Sequence, residues 1–166
     1  MIRPLTSDDD AAYRTLWAQA INEHGSHFRT SPLDDAPAGI PTAYTDDSWT
    51  LGAFDGERLI GIVSVARERG EKLRHKALLS RMFIHPDSAG SGLGTTLLRE
   101  TLVFASAVPQ LRQLWLTVLE TNEPAQRLYA AAGFRSYSHE PEAVLIDDRY
   151  VAEIQMVRFL RRERRD

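Results

Sequence analysis

The sequence predicts a mixed α+β domain, with one central sheet of about seven strands and about four helices. Short alternating apolar segments recur along the chain, and three segments of helical apolar spacing stand among them. Their order is strand, helix, antiparallel strands, then strand–helix–strand–helix–strand–strand. At 166 residues the chain can bury a sizeable core as one domain. Residues 1–160 are assigned to that domain, and the arginine-rich "RRERRD" of 161–166 to a solvated basic tail.

Residues 2 to 5 suit a short first strand. Ser7 reads as an N-cap, with Asp8, Asp9 and Asp10 in the first turn, where the helix dipole favours anions. Tyr13, Leu16, Trp17, Ala20, Ile21 and His24 follow at helical spacing, and Gly25 is the expected stop. Residues 26 to 47 are rich in Pro, Asp, Ser and Thr and read as loop, with a short helix near Leu33. "SWTLGAF" alternates Trp49, Leu51 and Ala53 as a half-buried strand does. Asp55-Gly56 is a hairpin turn, "LIGIVSVA" (59–66) the returning strand, and a third strand runs from about Leu73 to Ile84. Pro86 and a glycine-rich loop end it. Leu93, Leu97, Leu98, Leu102 and Ala105 mark a helix stopping near Pro109. "QLWLTVLE" (113–120) is a strand, and a helix starts at Thr121 or Asn122 with Pro124 in its first turn. Gly133 fits its left-handed cap position, and 134–139 and 150–159 read as the last two strands.

Hydrophobic residues make up 43% of the chain and charged residues 26%, near the globular average, and the net charge is −3. There is no general basic field for nucleic acid or membrane. Cysteine is absent, which excludes disulfides, thiolate metal sites and a cysteine nucleophile. No metal is expected. The opening "MIRPLTSDDD" has no signal-peptide core, and no run approaches the ~18 apolar residues of a membrane span. A soluble, cytoplasmic protein is the expectation.

"HPDSAGSGLG", residues 85–94, places three glycines between a strand and a helix start. The first amides of a helix lack intrahelical partners, and the dipole adds positive potential there. Glycines let successive N–H groups converge on an anion, most naturally a phosphate or pyrophosphate. A Walker loop would need Gly-Lys-Ser/Thr, but Gly94 is followed by Thr95-Thr96. A Rossmann fingerprint would need a glycine where Thr95 stands, within an alternating β-α-β run. Alone, these glycines fit a tight turn before a helix equally well.

Some thirty residues on lies "LWLTVLETNEPAQRLYAAAGF". Together with "LSRMFIHPDSAGSGLGTTLL" it resembles the two core motifs of the GNAT family of acetyl-CoA-dependent N-acetyltransferases. The first motif is an apolar strand ending in a Val-x-Pro-like step, here Phe83-Ile84-His85-Pro86, then Gln/Arg-x-x-Gly-x-Gly/Ala, here Ala89 to Gly94. The second is Asn-x-x-Ala-x-x-Leu-Tyr-x-x-x-Gly-Phe, matched by Asn122, Ala125, Leu128, Tyr129, Gly133 and Phe134.

The resemblance implies a central, mostly antiparallel twisted sheet, splayed at a cofactor cleft and covered by helices on both faces. It implies acetyl-CoA as co-substrate, its pantetheine arm lying like an extra strand along Met82, Phe83 and Ile84. The pyrophosphate would rest on the amides of Ala89, Gly90, Ser91, Gly92, Leu93, Gly94 and Thr95. Ala89 departs from the usual Arg or Gln, so a side-chain phosphate contact is lost, which Arg67, Arg99 or Arg127 is expected to replace. Asn122 matches the residue that bonds the pantetheine arm, with Ala125 beside it. Tyr129 matches the residue beside the sulfur and would act as acid to the departing thiolate; its spacing alone favours a core tyrosine, and the Asn122–Tyr129 match reverses that.

Direct acyl transfer needs a neutral amine, and a lysine-like amine of pKa ~10.4 is almost wholly charged at pH 7. A base, or a water chain to one, must take its proton. The oxyanion needs a donor, for which the main-chain N–H near Ile84 serves. Family members carry a glutamate four residues before the Val-like position, here Ser80, or five before the motif asparagine, here Thr117. Both are hydroxyls, able to order a water. Glu120, Glu68, His85 and Glu153 remain as base candidates. The acceptor pocket is expected to use residues 22 to 47 and the last hairpin, "SHEPEAVLIDDRYVAE", with Arg29, Glu140, Tyr150 and Glu153 as its polar candidates.

The implied activity is acetyl transfer to a primary amine of a small molecule, or to a protein N-terminus. The expected partner is that small-molecule amine, with a homodimer the one assembly considered. A non-catalytic acetyl-CoA-binding sensor is the alternative, motivated by Ala89, Ser80 and Thr117. An NAD- or ATP-binding protein is a third reading.

Overall fold

The computed structural model describes residues 1–35, 39–42, 45 and 47–160. The basic tail of 161–166 lies outside the described residues. Seven strands are formed: β1 (Ile2–Pro4), β2 (Ser48–Asp55), β3 (Arg58–Arg67), β4 (Lys76–Ile84), β5 (Gln113–Leu119), β6 (Arg135–Ile146) and β7 (Arg149–Phe159). They make one sheet in the order β1-β2-β3-β4-β5-β7-β6. Every neighbouring pair is antiparallel except β4–β5. The helices are α1 (Asp10–Glu23), α2 (Pro32–Asp35), α3 (Leu93–Ala107) and α4 (Glu123–Ala131).

Strand alternation divides the core in two. One face of β2, β3 and β5 turns Trp49, Leu51, Val63, Val65, Leu114 and Leu116 toward Leu97 and Leu98 of α3 and Tyr129 of α4. The other turns Phe54 and Ile62 toward Tyr13, Leu16, Trp17 and Ile21 of α1. The α1 residues recur at i, i+3, i+4 and i+8, which puts them on one stripe. Each large apolar side chain buried this way contributes ~1.5–3 kcal/mol relative to exposure.

Several boundaries differ from the sequence pattern. Thr6, not Ser7, opens the first helical segment. Ser7–Asp9 is a 3-10 turn, with a carboxylate oxygen of Asp9 accepting from the Thr6 backbone N–H at 2.8 Å. Helix α1 ends at Glu23 with His24 as its cap, and Gly25 begins a 3-10 turn instead of supplying a left-handed stop. Glu71–Leu73 is a 3-10 turn, so β4 starts at Lys76. Strand β6 continues through Pro141 to Ile146, with a register shift between Glu140 and Val144. An edge strand tolerates proline because its outer side has no ladder partner to lose.

Strand β4 carries the irregularity that matters for the site. Ile62 pairs with Phe83 but Ser64 pairs with Ser80, so β4 holds one residue more than β3 over this stretch. Arg81 sits in the bulge with φ +52°. Pairing between β4 and β5 covers only Lys76–Leu78 against Gln113–Trp115. From Leu79 onward the two strands part.

Candidate active site

The facing edges of β4 and β5 lack strand partners beyond Leu78 and Trp115. On its other side β4 remains bound to β3: the His85 N–H donates to the Ile60 carbonyl at 2.8 Å. Alternation along an antiparallel strand then turns the main-chain groups of Ile84, and of Met82 two residues back, into the gap. A cavity of about 560 Å³ fills that gap and reaches both faces of the sheet. Ala125, Leu128 and Tyr129 line it from the α4 side, while Trp17, Phe28, Arg29 and Glu153 line it from the α1 side.

Arg81 holds the bulge in place. Its guanidinium donates to the Tyr13 hydroxyl at 3.0 Å, pairs with Asp35 at 2.9 Å and lies over the Trp17 ring at 5.2 Å. The Trp17 indole N–H donates to the same Asp35 carboxylate at 2.9 Å. A positive φ at a non-glycine residue costs ~1–3 kcal/mol, and these contacts to α1 and α2 offset it.

Beyond β4, the Asp87 N–H donates to Nδ1 of His85 at 3.1 Å and closes a turn over Pro86–Ser88. Gly90 (φ +74°) and Gly92 (φ +81°) take left-handed conformations. Among the described residues, the N–H groups of Gly90, Gly92, Gly94 and Thr95 have no hydrogen-bond acceptor. A Cβ at 90 or 92 would meet nothing within 4 Å, so the loop's outer side is open. Gly94 differs: its Cβ would stand 3.6 Å from Leu128 and 3.8 Å from Ile84 and Met82, a close approach of the first turn of α3 to β4 and α4. Ala89 lines the cavity, and residues 90 to 95 lie outside its lining.

Of the expected replacements for the missing phosphate side chain, Arg67 lies far from the loop. Arg67 pairs in register with Ala77, seven residues before Ile84 and so ~23 Å along the strand from it. Its guanidinium is buried against Asp47 and the carbonyls of Arg74 and Pro109. Its role is to pin loops at the far end of the sheet. Arg99 and Arg127 are exposed, beside Glu100 and Glu123 at 3.7 and 3.5 Å.

Asn122 caps α4, its side-chain oxygen accepting from the Ala125 N–H at 3.3 Å, which leaves the amide NH₂ free for another acceptor. Tyr129 is buried, edge-on to Phe134 at 5.8 Å, and among the described residues its hydroxyl has no hydrogen-bond partner. Burial pushes this phenol well above its ordinary value of 10.0. Gly133 ends the helix at φ +88°, and a Cβ there would run into the Arg158 guanidinium, which donates to the Ala132 carbonyl.

Of the base candidates, Glu153 lies in the cavity. It is 2% exposed, paired in register with Leu119 of β5 and 3.5 Å from the Arg29 guanidinium. Ser80 and Thr117 line the cavity as well. The other three face elsewhere. Glu68 accepts from the Trp115 indole at 3.2 Å, Glu120 is exposed beside His139 at 3.2 Å, and His85 lies 3.1 Å from Arg58. Among the acceptor candidates, Arg29 and Glu153 come together. Glu140 and Tyr150 are exposed on the β6–β7 hairpin, outside the lining. His24, His27 and Phe28 fall within the 22–47 segment expected to build the acceptor pocket, whereas Trp17 and Arg81 were missed as cavity residues. His24 also continues the apolar stripe of α1, which was a usable signal; Arg81 offered none.

Three comparisons bear on this architecture. The family model described as acetyltransferase (GNAT) family matches residues 10–134. Among solved structures, the acetyltransferase of GNAT family from Streptococcus pneumoniae is 26% identical, with a TM-score of 0.83 over 96% of this chain and 98% of that one. The protein yncA from Salmonella typhimurium, solved with its cofactor acetyl-CoA, is 17% identical, with a TM-score of 0.81 over 100% and 96% of the two chains. The ribosomal-protein-alanine N-acetyltransferase from Brucella melitensis is 20% identical, with a TM-score of 0.75 over 96% and 99%. No curated protein matches the sequence. The last two likenesses are of fold. The family model covers well over half of the chain, and the loop, the parted strands and the capped helix are where its two motifs fall: this chain belongs to the GNAT family of acetyltransferases.

Proposed function

We propose that this protein transfers the acetyl group of acetyl-CoA to the primary amine of a small molecule by direct attack. The observation that carries the reading is the gap between β4 and β5, with free amides on one side and a buried carboxylate on the other. The residues present fit the co-substrate. Four unpaired N–H groups around open glycines suit a diphosphate, and two unpaired strand edges suit an extended amide-bearing arm.

When bound, acetyl-CoA supplies a thioester whose acetyl carbon is open to attack. The chain's own groups do the rest. The free amides of Gly90, Gly92, Gly94 and Thr95 hold the diphosphate, while those of Ala89, Ser91 and Leu93, expected to join them, donate within the loop to Pro86, Ser88 and Ser91; the Asn122 side chain bonds the arm. A main-chain N–H at Ile84, or at Met82, donates to the acetyl oxygen as charge develops there; one such donor typically contributes ~2.7–4 kcal/mol. Glu153 reaches the gap from the α1 side and takes the amine's proton, directly or through a water ordered by Ser80 and Thr117.

Tyr129 approaches from the α4 side, so hydrogen-bond donor and base flank the reacting carbon from opposite faces. Its phenol stays protonated at any working pH. Full transfer of its proton to a thiolate with a pKa of ~8.5 is uphill, so its role is a hydrogen bond donated to the departing sulfur.

The non-catalytic alternative rests on Ala89 and on the hydroxyls at positions 80 and 117. Release of free thiol from acetyl-CoA with a panel of amines separates the two. Turnover that falls in Glu153→Gln supports the enzyme, and tight binding of acetyl-CoA with no turnover on any amine supports the sensor. Calorimetry against acetyl-CoA, CoA, NAD and ATP tests the ligand class, and preference for NAD or ATP would overturn it.

A further inference from the structure

Charge on the acceptor side of the cavity has a direction. Among the described residues of the lining, Glu153 is the one carboxylate, and Arg29, Arg81, His24 and His27 share that lining with it. Arg81 is already committed to Asp35 and Tyr13. Arg29 is not: it makes no hydrogen bond among the described residues and lies 3.5 Å from Glu153. Its side chain is 59% exposed against 3% for Glu153, so the carboxylate stands at the floor and the guanidinium at the mouth. The same lining carries an aromatic wall, with Trp17 edge-on to Phe28 at 5.1 Å and Phe28 edge-on to Phe83 at 6.4 Å.

This arrangement selects among amines. A polyamine or aminoglycoside brings several ammonium groups to one carboxylate that already faces the Arg29 guanidinium, and is disfavoured by like charge. A simple monoamine must compete with Arg29 for Glu153 and leaves the guanidinium without a partner. A zwitterion satisfies both ends at once, its ammonium meeting Glu153 and its carboxylate forking onto Arg29. We infer that the acceptor is a free amino acid with an apolar, best an aromatic, side chain. Its amine points inward to Glu153, its carboxylate is held at the mouth by Arg29, and its side chain lies on the Trp17–Phe28–Phe83 wall.

The inference rests on the acetyl transfer proposed above. The nitrogen–carbon bond forms as the carbon–sulfur bond breaks, and the bonding pair leaves on sulfur, which ends as CoA thiol. The ammonium gives up its protons on the way to the amide: one neutralises the sulfur, and one passes through Glu153 to solvent. The products are the N-acetyl amino acid and CoA.

The test measures thiol release from acetyl-CoA with matched acceptors: L-phenylalanine, phenylalaninamide, spermidine and a tripeptide beginning with phenylalanine. The expected result is a kcat/KM for phenylalanine at least about tenfold above that for its amide, the scale of one charge-assisted hydrogen bond. In Arg29→Ala the KM for phenylalanine rises and the acid-to-amide ratio collapses toward one, with partial recovery in Arg29→Lys. Calorimetry with CoA checks that both variants keep their cofactor site. An equal or inverted ratio in the unmodified protein overturns the inference and leaves acetyl transfer standing. So does a ratio unchanged in Arg29→Ala, or best turnover with spermidine or the tripeptide. Bound acetyl-CoA with no thiol release from any acceptor overturns the transfer reading itself.

Discussion

Tyr129 carries one of the sharper consequences of burial. Replacing it with phenylalanine removes the donor and little else, because the ring keeps its contact with Phe134. A hydrogen bond to a charged acceptor is worth ~1.5–3 kcal/mol, so kcat should fall about ten- to hundredfold with CoA affinity unchanged. Because burial raises the phenol above 10.0, no alkaline loss of rate from Tyr129 is expected up to pH 10; a fall below that pH that disappears in Tyr129→Phe would contradict the assignment. Arg81 acts differently, through the bulge it anchors. Arg81→Ala leaves Asp35 without its cation and frees the bulge. We expect ~1.5–3 kcal/mol of destabilisation in denaturant titrations, together with weaker acetyl-CoA binding. Loss of stability without loss of affinity would show that the gap is held open by other contacts.

Among the elements, the loop into α3 depends on backbone conformation before any side chain. Gly92→Ala adds a Cβ at φ +81° in otherwise open space, so its cost is strain of ~1–2 kcal/mol. Gly92→Asp adds a carboxylate among the free amides as well. Calorimetry should find a modest loss of CoA affinity in the first and no measurable binding in the second; equal affinities would remove the loop from the site. The join of β1 to α1 is electrostatic. The Arg3 guanidinium forks onto Asp9 at 2.7 Å and, with the Thr6 N–H, holds that carboxyl at about 2 against an ordinary 3.8. A depressed carboxyl stabilises the fold above its unfolded value and ceases to as pH falls through its folded one. The thermal midpoint should therefore drop between pH 4 and pH 2, and Asp9→Asn should flatten that part of the curve. An identical acid limb in the variant would mean the pair contributes nothing.

At the scale of the molecule, two half-cores are joined by a sheet that is open along one seam. A ligand bridging the seam binds only the folded state. CoA at a hundred times its dissociation constant adds ~2.7 kcal/mol, or about 5–10 °C in thermal midpoint for a domain of this size. Gly92→Asp should show no such shift, and a midpoint insensitive to CoA in the unmodified protein would place the ligand elsewhere. Much of this was legible beforehand, because it is written in local pattern. Alternation in 49–53 gave a strand, "DG" a hairpin, and Asn122 with Pro124 a capped helix start. The loop's three glycines marked where backbone N–H groups lie bare. Gly25 misled for a local reason, since a helix can stop without a left-handed glycine, and the strand read over 134–139 runs on to Ile146 because an edge strand can pass through proline.

Which acid faces the gap was beyond such reading. Glu68 and Glu120 each follow the last residue of a strand and Glu153 lies within one, and nothing in their local pattern says which of the three is turned inward. Only the pairing of β7 with β5, and the position of the segment after α1, bury Glu153 beside Arg29 while Glu120 meets His139 and Glu68 meets Trp115. The extra residue at Arg81 was equally invisible, since a bulge is a relation between two strands and not a property of either. Conformational preference and cap chemistry act over a few residues and are spelled in order along the chain. Burial, partner and register are fixed by contacts between distant segments, and those exist only once the chain has closed on itself.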